Sequence, residues 1–308
     1  MSNPQPIDSM VYPRYSAIAT FFRLPHITDP SQLDIAIVGA PFDGSAGYMA
    51  GPRYAPREIR ARSATIRPHS MKGISPFEKH RIADYGDIST TPFSIEETYQ
   101  RIEKEVDHLL SHDVIPVTIG GDHGITYPVL KAVGKKHGPV AVIHIDSHQD
   151  THDTKFWHKT THANMFRSCM EENLVVPDKV ISIGLRGSLF HATDLEYGNE
   201  IGIRVVFPDE VHERGTAPII KEIHDIIGTC KTYFTLDIDG VDPAFAPGTP
   251  VPEVGGLTSL QTLQIIRGLE GLKIVGTDLC EVSPPADNPS QITSHLAAQL
   301  IFEMLCVI

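Results

Sequence analysis

Short, nearly continuous apolar runs recur along the chain at residues 34–39, 115–119, 140–145, 180–183, 203–207, 233–238 and 274–279. Runs of this length without a polar face predict strands covered on both sides, because a strand open to water alternates apolar and polar positions. Between them the period lengthens. Ile95, Tyr99, Ile102, Val106 and Leu109 recur at spacings of four and three within 94–112, and Ser94 with Glu97 has the pattern of a capping box. Thr258 with Gln261 repeats that pattern before a helix expected over 260–269. Residues 289–308 predict a last helix whose apolar end packs against the body. This alternation of strand and helix predicts an α/β fold, a mostly parallel sheet with helices on both faces.

At 308 residues, with 41% hydrophobic and 21% charged residues, the chain can bury a sizeable core and is not disordered. Length alone would suggest about two domains. However, no linker, repeat or low-complexity tract appears, so residues 1–308 are read as one domain. Residues 1–30 are read as an N-terminal extension packing on the body or on a neighbouring subunit. The net charge of −12 without a basic run excludes a general nucleic-acid binder and an anionic-membrane binder. Residues 1–10 lack a signal-peptide pattern, and no apolar stretch reaches the roughly 18 residues that span a bilayer. The expected location is the cytoplasm. Cys169, Cys230, Cys280 and Cys306 are scattered, which argues against a disulfide framework and a thiolate zinc site.

In an open parallel sheet, ligands bind beyond the carboxyl ends of the strands, and the polar clusters fall there. Run 115–119 leads into Gly120-Gly121-Asp122-His123, and run 140–145 into Asp146-Ser147-His148-Gln149-Asp150. Run 233–236 leads into Asp237-Ile238-Asp239, and run 274–279 into Cys280-Glu281. While the chain stays extended, the period of two in Asp146-x-His148-x-Asp150 points all three side chains one way. Carboxylates massed on one side repel each other unless a cation holds them. Four Asp balance two divalent ions, and two imidazoles complete an oxygen and nitrogen donor set. That set suits Mn²⁺, admits Ni²⁺, Co²⁺ or Fe²⁺, and disfavours a structural zinc. Two ions about 3.5–4 Å apart could share a water and lower its pKa, as in a binuclear metallohydrolase.

With these motifs the chain resembles the ureohydrolase family of arginases, agmatinases and other guanidino-compound hydrolases. The likeness also rests on Asp242-Pro243, Ala246-Pro247-Gly248-Thr249 and Glu281-Val282-Ser283-Pro284, and runs from about residue 13 to the end. It implies an arginase-like three-layer α/β/α sandwich with a mainly parallel, eight-stranded sheet, usually assembled as trimers or hexamers. It implies one metal held by His123, Asp146, Asp150 and Asp237 and another by Asp146, His148, Asp237 and Asp239, with Asp146 and Asp237 bridging. Pro13-Arg14-Tyr15, Arg23-Leu24-Pro25-His26 and Pro284-Pro285 resemble the branch of guanidinobutyrase, guanidinopropionase and proclavaminate amidinohydrolase. Agmatinase is its close neighbour. Three positions depart from the family pattern: Ser147 where Ala is usual, Met49-Ala50-Gly51 where an Arg is usual, and His162-Ala163-Asn164 where His-Gly-Thr is usual.

The resemblance implies hydrolysis of a guanidino carbon–nitrogen bond to urea and an amine. The delocalised guanidinium is a poor electrophile, so the reaction needs a metal-activated water. Glu281 is assigned to the guanidinium, Asp150 to carrying a proton to the leaving nitrogen, and His162 to a shuttle. Asn164, His152, Asp153 and Trp157 are the other candidate substrate contacts. His152 and Asp153 are read equally as loop residues, and His144 as a core or ligand-supporting residue. Arg186 and Lys155 are possible clamps for a substrate carboxylate. The leading reading is agmatinase-like. The alternatives are guanidinobutyrase or guanidinopropionase, a hydrolase of free guanidine or a biguanide, and a silent partner subunit.

Overall fold

The computed structural model describes residues 3–153 and 159–308. The strands are β1 (Ile35–Ala40), β2 (Ile82–Asp87), β3 (Ile115–Gly120), β4 (Val140–Ile145), β5 (Val175–Ile183), β6 (Arg204–Val206), β7 (Lys231–Asp237) and β8 (Lys273–Cys280). They form one eight-stranded sheet in the order β2-β1-β3-β8-β7-β4-β5-β6, parallel at every pairing.

Side chains alternate across a strand, and here both faces are apolar. Ile35, Ile37, Ile143 and Ile145 enter one core with Ile59, Ile219, Ile223, Ile265 and Leu300. Those partners come from helices Ala55–Ser63, Thr216–Ile227, Ser259–Arg267 and Ile292–Val307. Ala36, Val38, Val140 and Val142 enter a second core with Ile102, Val106, Val129 and Phe166. These belong to helices Ile95–Ser111, Thr126–His137 and Met165–Glu171. The result is the expected α/β/α sandwich, in which each fully buried Ile or Val contributes about 1.5–3 kcal/mol.

The apolar runs missed β2. Its Ile-Ala-Asp-Tyr-Gly-Asp sequence breaks the apolar run with two Asp and a Gly, yet it is an edge strand whose polar groups are bound. Asp84 accepts from Arg60 Nε at 2.8 Å and from the Phe21 N–H at 2.8 Å. Thr258 and Gln261 exchange both capping hydrogen bonds, at 3.1 and 2.9 Å. Ser94 forms only half of its box: it accepts from the Glu97 N–H at 3.1 Å, while the Glu97 carboxylate pairs with Arg101. Within the N-terminal segment, Phe21, Phe22 and Leu24 are buried, whereas Met10, Tyr15 and Ile18 are exposed. No helix among the described residues is long and apolar enough to cross a membrane.

Candidate metal centre

The strands that end in the polar motifs, β3, β8, β7 and β4, are consecutive neighbours in the sheet. Their registers are level: Ile119 pairs with Leu279, Leu279 with Leu236, and Leu236 with Ile145. Strands lie about 4.8 Å apart, so four adjacent ends present their next residues within roughly 15 Å. Gly121 lets the first motif turn, since a Cβ there would lie 1.6 Å from the Phe42 carbonyl oxygen. Asp122 holds the turn by accepting from the Ser45 N–H at 2.8 Å and the Gly124 N–H at 3.1 Å. Burial, then the nearby Glu281 charge, pushes the Asp122 carboxyl up to about 7.

A hydrogen-bond chain fixes the His123 ring. Thr235 Oγ1 donates to Asp278 Oδ1 at 2.6 Å, so it accepts from His123 Nε2–H at 2.7 Å. Asp278 is further bound by the hydroxyls of Thr126 at 2.7 Å and Tyr233 at 2.5 Å. With its proton on Nε2, His123 turns the Nδ1 lone pair towards Asp146, Asp150 and Asp237, at 3.0, 3.2 and 3.4 Å from one oxygen of each. This buried Nδ1 has no hydrogen-bond partner. A second group lies alongside: His148 Nδ1 is 3.1 Å from Asp239 Oδ2 and 3.4 Å from Asp146 Oδ1. Asp146 therefore gives one oxygen to each group. Asp237 faces the first group with Oδ2, while its Oδ1 accepts the Asp239 N–H at 2.8 Å.

These residues fit a pair of divalent ions. Bonds of roughly 2.0–2.2 Å put adjacent ligand atoms of one ion about 3 Å apart, close to the observed spacings. Among the described residues, no Lys or Arg ion pair is made by Asp146, Asp150, Asp237 or Asp239. Burial, then Asp239 and Asp146, holds the Asp237 carboxyl well above the usual carboxylate range. Burial opposes charge on His123, yet Asp146, Asp150 and Asp237 outweigh it and hold its pKa well above the ordinary value. Both shifts mark a cluster short of positive charge.

Glu281 sits at the cluster's edge. Its Oε1 accepts the His123 N–H at 2.8 Å and lies 3.3 Å from His162 Nδ1, while its buried Oε2 has no hydrogen-bond partner. Both Glu281 and Asp150 adopt left-handed backbone, with φ of 60° and 55°. Such strain costs of order 1–3 kcal/mol per residue and concentrates at functional sites. His162 is anchored by its N–H on Ser45 Oγ at 3.1 Å, and its Nε2 accepts the Gly47 N–H at 3.1 Å. Burial opposes charge on this ring as well, but Glu281 raises its pKa to about 9. Because the Gly47 bond needs a bare Nε2 and Glu281 favours the charged ring, His162 is pulled towards both protonation states.

The remaining candidates take varied places. Asn164 Oδ1 accepts from the Thr161 N–H at 2.6 Å and so closes the turn carrying His162. His152 is half-buried, edge-on to Phe190 with ring centroids 5.7 Å apart, and Asp153 is also half-buried. Trp157 and Lys155 lie outside the described residues. His144 is buried against Asp146: its Nε2 is 2.8 Å from Asp146 Oδ2 and its Nδ1 3.1 Å from Ser182 Oγ. Arg186 is no carboxylate clamp in this structure, because its guanidinium is spent on backbone carbonyls. Thr235 and Asp278 were not among the candidates from the sequence. A lone carboxylate inside the apolar run 274–279 was the available signal, since a buried charge needs partners.

The sequence profile of the arginase family matches residues 33–306. The chain belongs to the arginase family. It is 44% identical to the guanidinobutyrase of Pseudomonas aeruginosa, over 99% of this chain and 96% of that one. It is 41% identical to the mitochondrial agmatinase of Gallus gallus, over 94% and 86% respectively. The solved structure of proclavaminate amidinohydrolase from Streptomyces clavuligerus superposes with a TM-score of 0.91 at 39% identity, covering 96% of this chain and 98% of that one. In this arginase-family chain the unusual Ser147 touches the centre twice: its backbone N–H makes the 3.0 Å bond to Asp239 Oδ1, and its Oγ lies 3.2 Å from His148 Nδ1. Gly51, in the second altered run, donates its N–H to Asp43 Oδ2 at 2.8 Å.

Proposed function

We propose that this chain hydrolyses the guanidino carbon–nitrogen bond of a small guanidino compound, releasing urea and an amine. The observation that carries the reading is the unsatisfied Oε2 of Glu281 beside two joined His and Asp groups. Two divalent ions, with Mn²⁺ the first choice and Ni²⁺ the second, would supply Lewis acidity that lowers the pKa of water towards neutrality. His123, Asp146, Asp150 and Asp237 would hold one, and Asp146, His148, Asp237 and Asp239 the other. The four Asp charges are then balanced, so the charge of Glu281 is left for the guanidinium, whose planar fork a carboxylate matches.

The water oxygen bonds to the guanidino carbon, and the bond to the substituted nitrogen breaks. Asp150 accepts one proton of the water and delivers it to that nitrogen, which leaves as a neutral amine, while the water's other proton is lost from the urea oxygen to solvent by way of His162. His162, pulled between two protonation states, exchanges protons between Glu281's neighbourhood and solvent. Asn164 keeps the loop closed around it, and His152, Asp153 and Trp157 are the proposed outer contacts.

In place of the agmatinase-like reading of the sequence, the substrate favoured here is an acid-tailed guanidino compound, supported by likeness to guanidinobutyrase and to a guanidinopropionase at 40% identity. Agmatine is the second reading, supported by the Gallus gallus relative. We expect kcat/KM for 4-guanidinobutyrate to exceed that for agmatine by at least about 10-fold, as misplaced polar groups are strongly rejected. The opposite ratio, in a direct competition of the two, selects the agmatinase reading. A cytoplasmic homotrimer or homohexamer is the proposed form.

A further inference from the structure

Arg186 follows β5 and makes no ion pair among the described residues. Its Nη2 donates to the carbonyls of Asp239 and Glu253, both at 2.6 Å, and its Nη1 to those of Gly184 at 2.9 Å and Gly240 at 3.3 Å. Its Nε also reaches Glu253 O at 3.1 Å. The rigid five-donor fork of Arg can satisfy several carbonyls in fixed directions, which the single ammonium of Lys cannot. The space is shaped for it: a Cβ on Gly256 would lie 2.4 Å from Nη2.

The contacts close a ring around one metal-ligand residue. The Arg186 N–H donates to the Ser147 carbonyl at 3.0 Å, the Ser147 N–H donates to Asp239 Oδ1 at 3.0 Å, and the guanidinium grips the Asp239 carbonyl. Asp239 is thus held at backbone and carboxylate, which leaves Oδ2 facing His148 Nδ1 at 3.1 Å. The group around His123 and Asp150 has no bond to Arg186. We infer that Arg186 is a positioning residue that preorganises the Asp239–His148 ion site and leaves the His123–Asp150 site untouched. The inference rests on the two-ion reading of the proposed function.

Charge and geometry make opposite demands here. A guanidinium behind Asp239 repels a cation, so by Coulomb's law alone its removal would tighten that site. Preorganisation requires removal to weaken it, and losing a residue that orients a ligand typically costs 10–100-fold in metal affinity. The test is a Mn²⁺ titration of the metal-free full-length chain, read by electron paramagnetic resonance and metal analysis, for wild type, Arg186→Lys and Arg186→Met. Wild type is expected to bind two ions with a spin-coupled signal. Both variants should keep one binding constant within about threefold, weaken the other about 10–100-fold, and show an uncoupled signal at one equivalent. Circular dichroism and melting of the metal-free forms check that the variants fold.

Two unchanged constants, or a tighter second site in Arg186→Met, overturn the inference. So does equal weakening of both sites with a lowered melting temperature, which marks general loosening. A wild-type chain that binds fewer than two ions overturns the two-ion reading itself, and that result is visible before any variant is compared.

Discussion

Replacing Glu281 by Gln is expected to lower kcat/KM for the preferred guanidino substrate by at least about 10³-fold, while two metal ions per chain remain bound. The split follows from the two oxygens. The Gln carbonyl can still accept the His123 N–H that Glu281 Oε1 accepts at 2.8 Å, so His123 keeps its place. The other position becomes an NH₂ donor, and it meets a guanidinium that is all donors. A charge-assisted pair turns into a donor–donor clash in a buried site, where an unpaired charge is costly. Metal analysis beside steady-state urea release checks both halves. Lost activity with lost metal would instead make Glu281 a structural support of the cluster.

Chelation is expected to abolish urea release and to lower the melting temperature by about 8 °C, with both restored by Mn²⁺. Each ion held at 100 times its Kd contributes about 2.7 kcal/mol to the folded state, and about 1 kcal/mol shifts a chain of this size by roughly 1.5 °C. The metal-free fold should also weaken as pH rises. Asp122 has a folded pKa of about 7 against an ordinary 3.8, so its contribution is complete below 3.8 and is lost as pH climbs through 7. Asp237, His123 and His148, all raised, act in the same direction. Asp146, held low by His144, His123 and His148 against its burial, acts oppositely, but only in acid. Scanning calorimetry of the chelated chain from pH 5 to 9 checks the slope, which the loaded chain should largely lose. A chelated chain that melts at the loaded temperature would mean that the Asp cluster is satisfied without metal.

The readable parts of this molecule were those written in one stretch of chain. Doubly covered strands such as 140–145 announce themselves because neither face needs a polar residue. Asp146-x-His148-x-Asp150 is visible because a period of two puts its side chains together before any folding. What joins distant stretches was hidden. β2 is an edge strand whose Asp84 is satisfied by Arg60 and by the Phe21 backbone, neither of which is adjacent in sequence. Asp278 supports His123 through Thr235, a link that exists only because β7 and β8 lie side by side and near β3. Arg186 looked like a spare cation because a sequence shows charges and not carbonyls. Its partners are backbone oxygens, which every residue carries and none advertises.

Product analysis with the Mn²⁺-loaded chain and 4-guanidinobutyrate, agmatine, 3-guanidinopropionate, guanidine and a biguanide tests the guanidino hydrolysis itself. Urea and the matching amine are expected in a 1:1 ratio from at least one of them. No urea from any, with two ions bound per chain, would contradict it and leave a silent partner subunit as the reading.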